Sequence, residues 1–198
     1  MQTEYEATFF GIDVEGIKKR LKELGGTVAI PETLMKIRVF ALPNELSHNK
    51  GYVRVRDEGH KITMALKMYI GEGIESEKES EIEIKDFAGG VALVKSLGMQ
   101  PKATQEKLRE VWELDGVEIM FDSWPFLDTY IEIEGASETV VQSVVEKLGL
   151  VWGDAHFGAS IPRQVYLQYG IAEEDVNNNI PRITFDENPF EKFITASA

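Results

Sequence analysis

Pairs of like-charged residues, each split by a single position, are the features of this chain that could do chemistry: Glu4 and Glu6, Lys36 and Arg38, Arg54 and Arg56, Lys107 and Arg109, Glu132 and Glu134. Lys67 and Asp122 stand on the charged faces of strand-like segments of their own. Alternate side chains of an extended strand share a face, so the members of each pair converge. Carboxylates that converge raise each other's pKa, which is costly unless cations sit among them. Hard divalent ions prefer oxygen donors, so Mg²⁺ or Mn²⁺ is the natural cation for Glu4, Glu6, Asp122, Glu132 and Glu134. Arginine forks take phosphate oxygens in bidentate fashion, lysine adds point charge, and a carboxylate-held metal bridges phosphate to a nucleophile. The combination suits a polyphosphate; neither set of charges is useful alone.

The elements that must position these residues follow from periodicity. Residues 2–10 alternate Glu4, Glu6 and Thr8 against Tyr5, Ala7 and Phe9, a strand with one charged face. Asp13 caps a helix striped with Ile17, Leu21 and Leu24 and ended by Gly25-Gly26. A strand over 33–42 carries Lys36 and Arg38, and a polar loop over 43–50 follows. Segments 51–56 and 61–69 form a hairpin, with Arg54, Arg56 and Lys67 on its polar side. Glu77, Glu79, Glu81 and Glu83 recur at period two, a run expected to be a solvated face from which only Glu81 or Glu83 reaches a site. Asp86 caps a second helix ended by Gly98. Strands over 104–114 and 117–123 meet at Asp115-Gly116, a hairpin-turn dipeptide. Ser137 caps a third helix, bearing Val141, Val144, Val145 and Leu148 and ended by Gly149. Beyond Tyr169 the chain turns polar and loses its period, which predicts one folded unit over 1–170 and a tail or surface arm over 171–198.

Composition narrows the classes. The chain of 198 residues has 34 acidic and 21 basic side chains, a net charge of −13, which disfavours nucleic acid and anionic membrane as partners. It has no cysteine, which excludes disulfides, thiolate metal sites and a cysteine nucleophile. With no run of 18 apolar residues and no basic-then-apolar leader, the expected location is cytoplasmic. His48, His60 and His156 fall in loops without ligand spacing. Trp112, Trp124 and Trp152 are expected to pack in the core or at a rim.

Nearly every strand has one apolar and one charged face, and three amphipathic helices are available to cover the apolar ones. The charged faces are then left either on the open side of a sheet or inside a closed antiparallel barrel, and periodicity does not choose.

In their order along the chain, Glu4-x-Glu6, Arg54-x-Arg56, Lys67, Lys107-x-Arg109, Asp122 and Glu132-x-Glu134 resemble the motifs of the CYTH superfamily, the triphosphate tunnel metalloenzymes. The resemblance spans residues 2–169 and implies an α+β fold, a closed eight-stranded antiparallel β-barrel with helices packed outside. It also implies a divalent-metal-dependent enzyme whose substrate is tripolyphosphate, ATP or thiamine triphosphate, by hydrolysis or, as in class IV adenylate cyclases, by cyclisation of ATP with release of pyrophosphate. Arg54, Arg56, Lys67 and Arg109 are its expected catalytic residues, and they share phosphate binding with Lys36, Arg38 and Lys107. A homodimer is carried as a further expectation. One departure stands out: the family's opening Glu-x-Glu-x-Lys ends here in Thr8, which predicts weakened turnover or a protein that only binds triphosphate.

Overall fold

A computed structural model describes residues 2–43, 50–70, 73–158 and 161–196. The sequence-predicted loop over 43–50 falls mainly outside them, with His48. The strands are β1 (Gln2–Phe9), β2 (Thr27–Phe40), β3 (Lys50–Asp57), β4 (Ile62–Tyr69), β5 (Glu77–Glu83), β6 (Pro101–Leu114), β7 (Val117–Ser123), β8 (Tyr130–Gly135) and the two-residue β9 (Arg182–Ile183). The first eight run β2-β3-β4-β5-β1-β8-β7-β6, and β6 pairs back onto β2, so the antiparallel sheet closes into a barrel. Closure removes the edges that an open sheet would leave unpaired. β9 adds to β6 in parallel at Thr104 and Gln105.

Helices α1 (Val14–Glu23), α2 (Phe87–Ser96) and α3 (Glu138–Lys147) lie outside and cover the apolar faces. Tyr5, Ala7, Phe9, Ile119, Phe121, Ile131 and Ile133 pack against Ile17 and Leu21 of α1 and Val141, Val144 and Val145 of α3. Phe40, Val53 and Val55 pack against Val94 of α2. Asp13 and Asp86 accept from the backbone amides of Gly16 and Gly89, at 3.0 and 2.5 Å, so both caps form as their sequence predicts. Ser137 occupies the cap position of α3 without such a bond. Asp115 and Gly116 both take positive φ, 55° and 76°, as a two-residue hairpin turn with the native twist requires.

Gly51 marks a close approach of β3 to β4, where a Cβ would meet the backbone oxygen of Lys67 at 2.4 Å. Gly51→Ala is expected to cost about 1–3 kcal/mol, because backbone must shift to admit the methyl. Urea unfolding of the two proteins checks this.

The segment over 171–198, expected to be a tail or surface arm, is folded onto the barrel together with the helix before it. α4 (Ile161–Tyr169), α5 (Glu173–Asn179), β9 and α6 (Glu191–Ala196) form an arm across one mouth. Ile171, Val176, Ile180, Ile183 and Phe190 are buried against Ile37, Val39, Trp124 and Tyr130. Such scattered apolar residues show no period, because helices of seven residues or fewer and a two-residue strand are too short to display one.

Candidate functional site

The inner faces of the barrel strands enclose a cavity of about 1150 Å³. Its sides differ in charge. β3 and β4 contribute Arg54, Arg56 and Lys67; β5, β1 and β8 contribute Glu77, Glu79, Glu81, Glu4, Glu6, Glu132 and Glu134; β6 contributes Lys107 and Arg109. An acidic arc therefore lies between two basic ones, and β2 closes the ring with Met35, Ile37 and Val39.

Lys36 and Arg38 are not brought into the cavity. Ile37 pairs with Arg56 and Val39 with Arg54, so once the two arginines face inward the odd-numbered residues of β2 must follow. Lys36 is exposed on the outer face, opposite Asp57 and Glu106 on the neighbouring strands, and Arg38 is half-buried, donating to the carbonyl of Ile37 at 3.3 Å. The assignment of both residues to substrate binding is corrected accordingly: strand register, not charge, decided which face of β2 points inward.

Within the lumen the cations are already held by carboxylates. Arg109 Nε donates to Asp122 Oδ1 at 2.6 Å and its Nη2 to Asp122 Oδ2 at 2.5 Å, and the same nitrogen pairs with Glu132. Lys107 Nζ donates to Asp122 Oδ2 at 2.6 Å. Asp122 has no exposed surface, and although burial pushes its carboxyl up, Arg109 and Lys107 together hold it well below the usual range. Asp122 thus stands behind Arg109 and Lys107 and fixes their direction. Arg54 Nη2 donates to Glu79 Oε1 at 2.8 Å and Glu81 Oε2 at 3.4 Å, and Arg56 Nε donates to Glu58 Oε1 at 2.9 Å. Lys67 lies among three carboxylates, 3.1 Å from Glu4, 3.9 Å from Glu79 and in contact with Glu77. Cations do sit among the converging acids, and in the protein alone they are Lys67 and Arg109.

Two carboxylates stay outside these pairs. Glu6 and Glu134 face each other across β1 and β8, and among the described residues neither forms a salt bridge. Burial pushes both up to about 7, with Lys67 pulling each back and the neighbouring carboxylates adding to the rise; Glu132 also rises to about 7, mainly through burial with Glu6 and Asp122 nearby. Lys107 is lowered to about 8 by burial and by the adjacent Arg109. On the opposite side, Arg54 Nε is buried and has no hydrogen-bond acceptor.

The donor set fits a divalent ion of the magnesium type. Among the described residues no three carboxyl or imidazole groups come close enough to enclose a metal by themselves. An ion held by one or two carboxylates, with water and phosphate completing the shell, needs only a pair such as Glu6 and Glu134.

Periodicity missed several lumen residues. Glu77 and Glu79 are buried and line the cavity together with the exposed Glu81, so Glu83 alone stays outside it in the run on β5. The available signal was its match to Lys67, which pairs with Glu79 across the strands. Glu58, buried beneath Arg56, gave none, because it follows the strand and only tertiary packing turns it inward. His156 forms a bridge to Thr8 and its ring lies 5.2 Å from that of Phe10, so it is half-buried rather than a free surface residue.

With this geometry in hand, the family is defined. The CYTH domain family matches residues 4–153, and the chain belongs to it. No curated protein matches the chain. Among solved structures, a conserved hypothetical protein of Pyrococcus furiosus is 25% identical, with a TM-score of 0.65, over 78% of this chain and 95% of the other. A candidate adenylate cyclase of Vibrio parahaemolyticus has a TM-score of 0.67 at 12% identity, over 83% and 98%. A candidate adenylyl cyclase of Hippeastrum, described as having a dominant triphosphatase activity, has a TM-score of 0.56 at 16% identity, over 84% and 95%. The last two likenesses are of fold.

Proposed function

We propose that this protein is a divalent-metal-dependent enzyme that hydrolyses a small triphosphate in the barrel lumen. One observation carries the reading: the same cavity holds a buried arginine Nε without an acceptor and a facing pair of carboxylates, Glu6 and Glu134, that form no salt bridge among the described residues. A polyphosphate supplies what the first lacks, and Mg²⁺ or Mn²⁺ what the second lacks. Glu6 and Glu134, with Glu4 and Glu132 beside them, would hold the ion, which when bound activates a water and neutralises phosphate charge. Arg54, Arg56, Lys67, Lys107 and Arg109 would bind phosphate oxygens. Asp122 keeps the Arg109 fork aimed where charge develops. Barrel walls exclude bulk water, which strengthens each of these contacts. A cytoplasmic setting belongs to the same proposal; separately, no described helix is long and apolar enough to cross a membrane.

Cyclisation of ATP is the second reading, favoured by the fold likeness to candidate adenylate cyclases. Incubation of ATP and of tripolyphosphate with Mg²⁺ or Mn²⁺ separates the two. Phosphate release from both supports hydrolysis; cyclic AMP and pyrophosphate from ATP without phosphate release would replace it. Tight tripolyphosphate binding with no turnover would leave a binding protein.

Thr8 bears on the rate. Its hydroxyl is buried, 1% exposed, without a hydrogen-bond partner, opposite Glu132. Thr8→Lys places a cation there and is expected to raise turnover about 10-fold by adding one charge-assisted contact. Steady-state phosphate release measures it, and an unchanged rate in a folded variant would show that Thr8 does not limit the reaction.

A further inference from the structure

Arg54, Arg56 and Arg109 line the same lumen but are held in different ways. Arg109 is gripped along its Nε–Nη2 edge by Asp122. Arg56 is gripped along the same edge by Glu58, whose Oε1 lies 2.9 Å from Nε and 2.8 Å from Nη2. Arg54 has no such backing: its Nη2 donates to Glu79 and Glu81, and its Nε finds no acceptor. A guanidinium is a planar fork, so a carboxylate on the Nε–Nη2 edge leaves the Nη1–Nη2 edge for a second anion.

Glu58 belongs to the turn between β3 and β4, and it has little freedom there: it is 4% exposed. Its Oε1 also accepts from the hydroxyl of Thr63, a buried residue opposite Arg56 on β4, at 3.0 Å. That oxygen therefore serves three donors, which leaves it no lone pair for a ligand. Its Oε2 lies 3.9 Å from Lys61 Nζ. The turn is fixed in its own right: the Glu58 amide donates to the Lys61 carbonyl at 2.9 Å, and the Gly59 amide donates to Asp57 Oδ1 at 2.9 Å. Gly59 takes a φ of 81°, and a Cβ there would meet the Thr33 side chain of β2 at 2.6 Å. Burial pushes the Glu58 carboxyl up, but Arg56 and Lys61 outweigh it and hold the group below its ordinary range, so it stays an anion.

We propose that Glu58 is a positioning residue: from the β3–β4 turn it holds Arg56 by one edge so that the other edge meets bound phosphate, as Asp122 does for Arg109. The inference rests on the triphosphate reading above. An arginine side chain has several free torsions, and fixing the fork beforehand removes the cost of ordering it when phosphate binds and when charge develops on the phosphoryl oxygens. An ion pair that served the hairpin alone would pin the turn without affecting what Arg56 does to a ligand.

A double-mutant cycle separates the two roles. Wild type, Glu58→Ala, Arg56→Ala and the doubly substituted protein are compared for tripolyphosphate affinity by calorimetry with Mn²⁺, for kcat/KM, and for urea unfolding. Glu58→Ala is expected to weaken affinity and to lower kcat/KM about 10-fold each, the equivalent of one misplaced charge-assisted contact. In the Arg56→Ala background the same substitution should change both by less than about twofold, because no fork remains to be aimed. Glu58→Gln keeps the shape and one acceptor, so it should lose only about threefold, and nothing in the Arg56→Ala background; the cycle can be run on it if the alanine variant does not fold. Wild-type affinity and rate in the folded Glu58 variants, or an equal loss with and without Arg56, would overturn the proposal and leave Glu58 a pin of the hairpin. If wild type binds tripolyphosphate without turning it over, the hydrolytic reading falls and the cycle in affinity still decides the role of Glu58; if wild type does not bind it, both fall.

Discussion

Arg109→Ala is expected to lower kcat/KM for the triphosphate by about two to three orders of magnitude, the scale seen when a preorganised donor to developing negative charge is removed. Arg109 is fixed by both carboxylate oxygens of Asp122, and it reaches Glu132 as well. Truncating it removes the fork and leaves Asp122, which has no exposed surface, with Lys107 alone. Breaking a buried pair in this way typically costs about 3–5 kcal/mol of stability, so kinetics and urea unfolding must be measured on the same preparations. Arg109→Lys separates the effects: it restores charge without the bidentate fork, and should recover stability more than rate. If Arg109→Ala retained activity within about threefold while folded, electrostatic stabilisation at this position would be excluded.

Metal affinity is expected to climb steeply with pH up to about 7 and flatten above it. Glu6 and Glu134, the carboxylates proposed to hold the ion, are raised from the ordinary 4.5 to about 7 by burial and by neighbouring acids, against the pull of Lys67. A metal must displace the protons they hold, so each displaced proton contributes up to tenfold per pH unit below 7, and the pair up to about a hundredfold. Mn²⁺ titration calorimetry at about pH 5.5 and 8, in buffers of different ionisation heat, reads both affinity and protons released. Constant affinity without proton release would move the metal away from these residues. The same groups shape the stability of the metal-free fold. A raised carboxyl contributes stability that is full below 4.5 and is lost as pH rises through 7. Asp122 works in the opposite sense: it is depressed, so its contribution is present above its ordinary 3.8 and lost as pH falls further. The metal-free protein should therefore be most stable on the acid side of neutrality, and bound metal should shift that optimum upward.

Much of the barrel was legible because local rules governed it. β1, β7 and β8 alternate cleanly since their outer faces meet α1 and α3, while Glu4, Glu6, Glu132 and Glu134 line a polar lumen and Asp122 sits behind Arg109 and Lys107. Asp13 and Asp86 announced their helices, and Asp115-Gly116 announced its hairpin, because caps and tight turns depend on a few adjacent residues. The resemblance added closure, which periodicity left open: pairing between β2 and β6 joins residues more than sixty positions apart and has no local signature.

The sequence alone determined which residues share a face, the composition of each face, and hence the candidate pairs of acids and bases. Tertiary structure decided which face looks inward, and it did so through register. On β2 the partners of Arg54 and Arg56 are Val39 and Ile37, so an apolar stripe enters the lumen and Lys36 and Arg38 leave it. The packing of chain distant in sequence decided the rest. Short pieces of the arm, too brief to show a period, bury Val176, Ile180 and Ile183 against Ile37, Val39, Trp124 and Tyr130 at one end of the barrel. Strand parity is a property of adjacent residues, whereas inside and outside are properties of the closed sheet, which exists only once all eight strands have paired.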